Sequence, residues 1–362
     1  MLTDNKVKVH NFSAGPSILP KEVIDRAADA LHDFAGTGLS LIEVSHRGKE
    51  FEAVMARAQQ LVRELLGVPE HYAILFLQGG ASLGFLKTPL NFMREGGKAA
   101  YANTGEWATR AIKEAKGVGP VEVIASSEDK NFSYIPKGYT IPSDVDYFHF
   151  TSNNTIFGTQ YHAFPKSPVP LICDMSSDIF SKPVNVADFT MIYAGAQKNM
   201  GPAGTTLYIV DTSKLGKTGR KLSPMLDLKN HADKDSMYNT PPVFAVYVSM
   251  LTLEWVKGIG GIPEIARRNA AKGKLLYDAI DRLPVFKGTT AVEDRSLMNA
   301  TFVLSDPALE PAFDKLWKAA GISGIRGHRS VGGYRASMYN ALPLESVRAL
   351  VEVMEEFARK NG

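Results

Sequence analysis

Residues 190 to 205, TMIYAGAQKNMGPAGT, hold one lysine between two apolar runs. Met191 to Ala194 reads as a buried strand of the parallel-sheet kind. Gly195-Ala196-Gln197 follows, then Lys198, then the loop chemistry of Asn199-Met200-Gly201-Pro202-Ala203-Gly204. Thr206 to Val210 begins a second apolar strand. An ammonium held at such a strand end is costly when buried, so its pKa falls and the neutral amine, which adds to carbonyl carbon, becomes available. The same pattern also suits a lysine that snorkels to water.

Asp174 adds to the first possibility. Leu171-Ile172-Cys173 is another apolar run, and it ends in this carboxylate, 24 residues (198 − 174) before Lys198, room for one strand-to-strand connection. A lysine and an acid at neighbouring strand ends are what pyridoxal phosphate (PLP) requires: one for its aldehyde, one to keep its ring nitrogen protonated. A helix cap or turn residue is the alternative for Asp174.

CDMSSDIFSKPVNVADF followed by YAGAQKNMGPAG closely resembles the cofactor-lysine region of the phosphoserine aminotransferases, class V members of the fold type I PLP-dependent enzymes. The resemblance extends over nearly the whole chain, from Asn11-Phe12-Ser13-Ala14-Gly15-Pro16 near the start to GHRSVGGYRAS near the end. It implies an α/β fold: a large domain, 16–262, with a mostly parallel seven-stranded-type sheet between helices, and a smaller C-terminal α/β domain, 263–362. Segment 1–15 is expected to pack against the small domain.

Further motifs read ambiguously alone. His46-Arg47 precedes a helical pattern that runs to about Leu66; it suits an anion site or a surface salt bridge. Gln78-Gly79-Gly80-Ala81-Ser82 links the strand at 72–77 to a helix. That is a phosphate-compatible turn or just a tight one, and it is neither a P-loop nor a full GxGxxG fingerprint. Trp107 suits core or interface, while Asn153-Asn154-Thr155 and Asn239-Thr240 suit turns and caps. Arg326 through Arg335 holds three arginines and His328 among glycines, fitting a doubly anionic ligand or a wet strand edge.

The resemblance assigns roles to these residues. It implies that Lys198 carries PLP and shuttles a proton, that Asp174 faces the ring nitrogen, and that Trp107 stacks on the ring. Ala81, Ser82 and Gln197 would bind the phosphate, with Thr155 beside the cofactor. Asn239 and Thr240 would reach the phosphate of the other subunit, making a homodimer with shared sites. Arg47, with its neighbour His46, and Arg335 would hold substrate carboxylates; His328 and Arg329 would hold the distal anion. Two departures stand out. Some relatives carry arginine where this chain has Ser82, and relatives often carry glutamate where it has Asn154. The implied reaction interconverts O-phospho-L-serine plus 2-oxoglutarate with 3-phosphohydroxypyruvate plus L-glutamate, in serine biosynthesis. Family members often serve pyridoxine synthesis too, on a phosphorylated hydroxythreonine.

Composition narrows the rest. With 362 residues, 44% of them apolar, the chain can bury two cores. A net charge of +3 with mixed signs leaves no electrostatic footprint for nucleic acid. The densest basic stretch, Arg267-Arg268 through Lys272 and Lys274, reads as a solvated helix face. The start MLTDNKVKVHNF lacks a signal-peptide core, and Val243 to Val256 is too short to span a bilayer. A cytoplasmic enzyme with no metal is therefore expected. Another class V enzyme, an alanine–glyoxylate-type aminotransferase or a cysteine desulfurase, is the alternative. The desulfurase needs a nucleophilic thiol, and the single cysteine, Cys173, lies in an apolar run. A non-enzymatic phospholigand-binding module, with Lys198 purely structural, is the more distant rival.

Overall fold

A computed structural model describes residues 8–329 and 331–361; residues 1–7 of the N-terminal segment and Ser330 of the arginine-rich motif lie outside the described residues. After a short strand β1 (His10–Asn11) come helices α1 (Lys21–His32) and α2 (Lys49–Leu66). Phe51, Val54, Ala58 and Leu61 line one buried face of α2, and Gly67 ends it in the left-handed conformation (φ 61°) that a side chain disfavours.

Strands and helices then alternate: β2 (Tyr72–Leu77), α3 (Gly80–Phe92), β3 (Ala99–Asn103), α4 (Glu106–Lys116), β4 (Val121–Ser126), β5 (Phe148–Thr151), β6 (Leu171–Asp174), β7 (Met191–Gly195) and β8 (Thr206–Asp211). They form one seven-stranded sheet, ordered β2-β8-β7-β6-β5-β3-β4. From β4 to β7 neighbouring strands pair in parallel; β8 is antiparallel to both its neighbours. The central strands are apolar throughout because both faces are covered. Ile192 and Ala194 face the core shared with α2 and α6, whereas Met191 and Tyr193 face the core shared with α3 and α4.

Next come α5 (Leu228–Ala232), α6 (Val243–Gly258) and α7 (Gly261–Arg282). The α6 helix is apolar on most sides and buried along most of its length, so it is a core helix. Among the described residues no single helix is long and apolar enough to cross a membrane. On α7 the solvated-face expectation fails at one residue: Lys272 is only 1% exposed and donates to the carbonyls of Met338 (2.8 Å) and Tyr339 (2.7 Å). Helical spacing turns it toward the strand end that α7 covers, while Arg267 and Arg268 stay outside on Glu264.

The C-terminal part comprises β9 (Phe286–Gly288), β10 (Asn299–Leu304), α8 (Glu310–Ala319), β11 (Ile322–Ser323), β12 (Tyr334–Ser337) and α9 (Leu344–Asn361). Its antiparallel sheet, β12-β10-β9, shares a core with α7, α8 and α9. The N-terminal β1 pairs in parallel with β11.

One close approach fixes α3 on the sheet. A Cβ added at Gly84 would lie 2.7 Å from the ring of Tyr193, on the strand that leads to Lys198. Overpacking of this kind costs about 1–3 kcal/mol. Gly84→Ala is expected to lower the unfolding free energy by that amount, read from the midpoint of denaturant unfolding at unchanged slope.

Candidate active site

Strand β7 ends at Gly195, and the chain turns so that Lys198 re-enters the protein just beyond the sheet edge. The turn is tight: a Cβ at Gly195 would lie 2.6 Å from Gln197 Oε1. The N-terminal segment clamps it from outside. Ser17 donates its N–H to the Gln197 carbonyl (3.0 Å) and its hydroxyl to the Lys198 carbonyl (2.5 Å), while Gly15 packs against the lysine stem. Nothing in the sequence pattern singled out Ser17.

Lys198 is 9% exposed, and its amine donates to Thr155 Oγ1 at 2.8 Å. It lies 5.7 Å from the centre of the Trp107 ring. Burial dominates its titration and drives the pKa from 10.5 to about 8; Asp174 and Asp178 pull it up and Arg335 pushes it down. A neutral amine is therefore accessible near physiological pH.

Asp174 closes β6, the strand beside β7, where it pairs with Tyr193. Ser176 holds one of its oxygens, Oδ1, through its N–H (2.9 Å) and its hydroxyl (2.6 Å). No donor among the described residues reaches Oδ2. Burial pushes the carboxyl pKa up, Ser176 opposing. A cation placed against Oδ2 would restore the carboxylate, which is what a protonated ring nitrogen supplies.

Trp107 sits in the first turn of α4, and its buried Nε1–H has no partner. Asn154 fixes that turn by donating to the Thr104 carbonyl. A Cβ at Gly105 would collide with the Asn154 side chain at 2.3 Å, so the two segments interlock. The sequence marked Asn154 as a departure from its relatives; its place is that of a clasp on the tryptophan loop. Ala81 and Ser82 open α3, whose N-terminus has no side-chain cap and follows Gly79 at φ 108°. Uncapped N–H groups and glycine backbone suit a phosphate. The described residues thus fit PLP: amine, acid, ring platform and anion cup.

Arg335 comes from β12. Its Nη1 donates to the Thr155 carbonyl at 3.4 Å, the residue whose hydroxyl takes the lysine, and its buried Nε is unpartnered. Burial also lowers its affinity for its proton. A largely desolvated guanidinium with an unpartnered N–H suits a carboxylate. Burial first, then Arg335 and Arg329, lower the pKa of His328. Glu106 raises it and Arg110 lowers it, so the start of α4 lies within electrostatic reach of His328.

Other expected residues stand apart. Arg47 is exposed, and His46 has an unpartnered buried Nε2; among the described residues no hydrogen bond or ion pair ties either to the lysine cluster. Thr240 accepts from Gln78 Nε2 through its carbonyl (2.7 Å), beside the α3 cup, and Asn239 Oδ1 is buried without a partner. Cys173 is fully buried in β6, and burial pushes its thiol well up, so it offers no thiolate nucleophile.

Comparison with known proteins decides the family. The family model of class-V aminotransferases matches residues 9–350. The chain belongs to the class-V aminotransferases. It is 61% identical, over 98% of its length and all of the relative's, to the phosphoserine aminotransferase of Flavobacterium psychrophilum. Among solved structures it superposes on phosphoserine aminotransferase from Bacillus circulans subsp. alkalophilus with a TM-score of 0.96 at 45% identity, covering 99% of this chain and 100% of that one. A PLP-bound phosphoserine aminotransferase from Trichomonas vaginalis gives 0.91 at 36%, covering 96% and 100%.

Because Lys198 loses its proton near pH 8, uptake of PLP by the cofactor-free protein should depend on pH. The rate, followed by the growth of visible absorbance, is expected to fall about tenfold per unit below 8 and to level off above it. A rate flat between pH 6 and 9 would contradict the lowered pKa.

Proposed function

We propose that this class-V aminotransferase is a PLP-dependent phosphoserine aminotransferase. It moves an amino group between the pair O-phospho-L-serine and 3-phosphohydroxypyruvate and the pair L-glutamate and 2-oxoglutarate. One observation carries the reading: Thr155 takes the Lys198 amine on its hydroxyl (2.8 Å) and the Arg335 guanidinium on its carbonyl (3.4 Å). The two groups a transaminase needs at the substrate's α-carbon, a proton carrier and a carboxylate grip, thus meet on one residue. The named substrates follow those in the names of the full-length relatives.

When bound, PLP supplies an aldehyde and a cationic ring that accepts electrons. Lys198 would hold it, and the Lys198 Nζ, with its lowered pKa, suits a group that takes up a proton at the substrate's α-carbon and gives it back. Asp174 would keep the ring nitrogen protonated, and Trp107 and Thr155 would flank the ring. Ala81 and Ser82 at the start of α3, with Gln197 from the lysine turn, would hold the phosphate; with serine at 82 the α3 grip would rest on backbone N–H groups and a hydroxyl. Arg335 pairs with the α-carboxylate. His328 and Arg329 bind the distal phosphate or carboxylate, and the charge of that anion restores the proton that burial and the arginines make costly for His328. His46 and Arg47 add a further carboxylate grip.

The active unit is a homodimer in which Asn239 and Thr240 reach the partner subunit's phosphate site. Residues 16–262 form the large domain, and 263–362 with the N-terminal segment the small one; β1 on β11 supports that division. The enzyme works in the cytoplasm, in serine synthesis.

Adding phosphoserine to the PLP-loaded protein is expected to abolish its visible band, and 2-oxoglutarate to restore it. A band that responds to alanine but not to phosphoserine would contradict the substrate assignment. Lys198→Ala is expected to lose turnover entirely. Arg335→Ala should lower kcat/KM about a hundredfold or more, the worth of two charge-assisted hydrogen bonds.

A further inference from the structure

Asn199 follows the lysine in sequence and is 4% exposed. Its side-chain amide bonds to two other segments. Its Oδ1 accepts the backbone N–H of Asn340 at 2.9 Å. Its Nδ2 donates to the Ile179 carbonyl at 3.1 Å, with the Ser177 carbonyl at 3.4 Å. Residues 177–179 belong to the loop that leaves Asp174; residue 340 lies five positions beyond Arg335, past the end of β12. One amide therefore links the loop that follows the acid, the segment that follows the strand of the carboxylate-gripping arginine and, through its own backbone, the turn of the lysine.

The far side of this contact is braced. Asn340 Nδ2 donates to the Phe180 carbonyl (3.0 Å), and its Oδ1 accepts from Asn269 Nδ2 (2.9 Å) on α7. Asn269 also reaches the Ser181 carbonyl (3.2 Å). Phe180 is a fully buried non-glycine residue at φ 59°, a conformation that persists only where its surroundings impose it. Lys272, one turn further along α7, holds the carbonyls of Met338 and Tyr339 immediately before Asn340. Asn269, Asn340 and Lys272 are each at most 3% exposed. In so dry a place a donor that loses its acceptor costs a full desolvation penalty, so the array moves as a unit or not at all.

Arg335 thus reaches Lys198 by two routes. The front route is Thr155. The rear route runs along the chain from Arg335 to Asn340, and across to Asn199. We propose that Asn199 is a positioning residue that couples the placement of Arg335 to that of the Lys198 turn, so that a carboxylate gripped by Arg335 alters the environment of the lysine. This rests on the roles proposed above for Lys198 and Arg335. Asn199 touches neither substrate nor cofactor in this account; it acts through the backbone it holds.

The test uses PLP-loaded protein and glutarate, a dicarboxylate with no amino group to transfer. The visible band of the lysine-bound cofactor is titrated with pH, with and without saturating glutarate. In the wild type, glutarate should move the midpoint. In Asn199→Ala, PLP should remain bound at one per chain while the glutarate-induced displacement drops to less than half. Asn340→Ala keeps the chain next to Lys198 unchanged but releases Phe180 and Asn269, and should show the same loss. Wild-type displacement in both variants overturns the coupling. So does failure of both variants to fold, since the array is then only scaffold. If the wild type itself shows no lysine-linked band, or none that glutarate moves, the fault lies with the reading of Lys198 or Arg335 instead.

Discussion

The amine of Lys198 is held in a largely buried place, and most of the surrounding structure can be understood as holding it there. Its pKa falls from 10.5 to about 8, which corresponds to about 3 kcal/mol of discrimination against the ammonium. The fold sustains that cost because the lysine turn is anchored on every side. Strand β7 delivers it from the centre of the sheet, Ser17 bonds its backbone from the N-terminal segment, and Thr155 takes the amine itself. Asp174 on the next strand pulls the pKa the other way, so the lysine remains a group that can both lose and regain a proton.

A lowered pKa does not by itself mark a reactive lysine. Among the described residues two more lysines are buried and shifted the same way: Lys87 to about 8 and Lys272 to about 7. Lys272 has two carbonyl acceptors and props up the end of β12. Lys87, on the buried face of α3, lies 5.5 Å from the Tyr208 ring centre in a packed setting. Lys198 differs in what surrounds it: an acid with an uncommitted oxygen, and an indole and a guanidinium that each carry an unpartnered N–H. Those incomplete groups, not the pKa, distinguish a site from a strut.

The elements that carry the site were legible because central strands and glycine-rich ends write themselves plainly. Leu171 to Asp174 and Met191 to Ala194 fall inside observed strands, and the apolar stretch from Val243 lies within α6. The two-residue pairing of β1 with β11 was not legible, since it consists of backbone bonds between segments more than 300 residues apart. Lys272 was misread as solvated because a helix pattern shows which positions share a face but not what covers that face. The roles of Asn199 and Ser17 were invisible for a related reason, and Asn154 showed only as a departure, not as a clasp. Their side chains bond to carbonyls, which every residue has, so no partner type betrays them in the sequence. Asp174 and Lys198 were visible because their chemistry is rare at buried strand ends.

The central claim is that PLP joins this chain at Lys198. Reducing the PLP-loaded protein with borohydride fixes the linkage, and peptide mass spectrometry then locates it. The account predicts a single adduct, on the peptide that contains Lys198. An adduct on Lys87 or Lys272, the other buried lysines of lowered pKa, would contradict it.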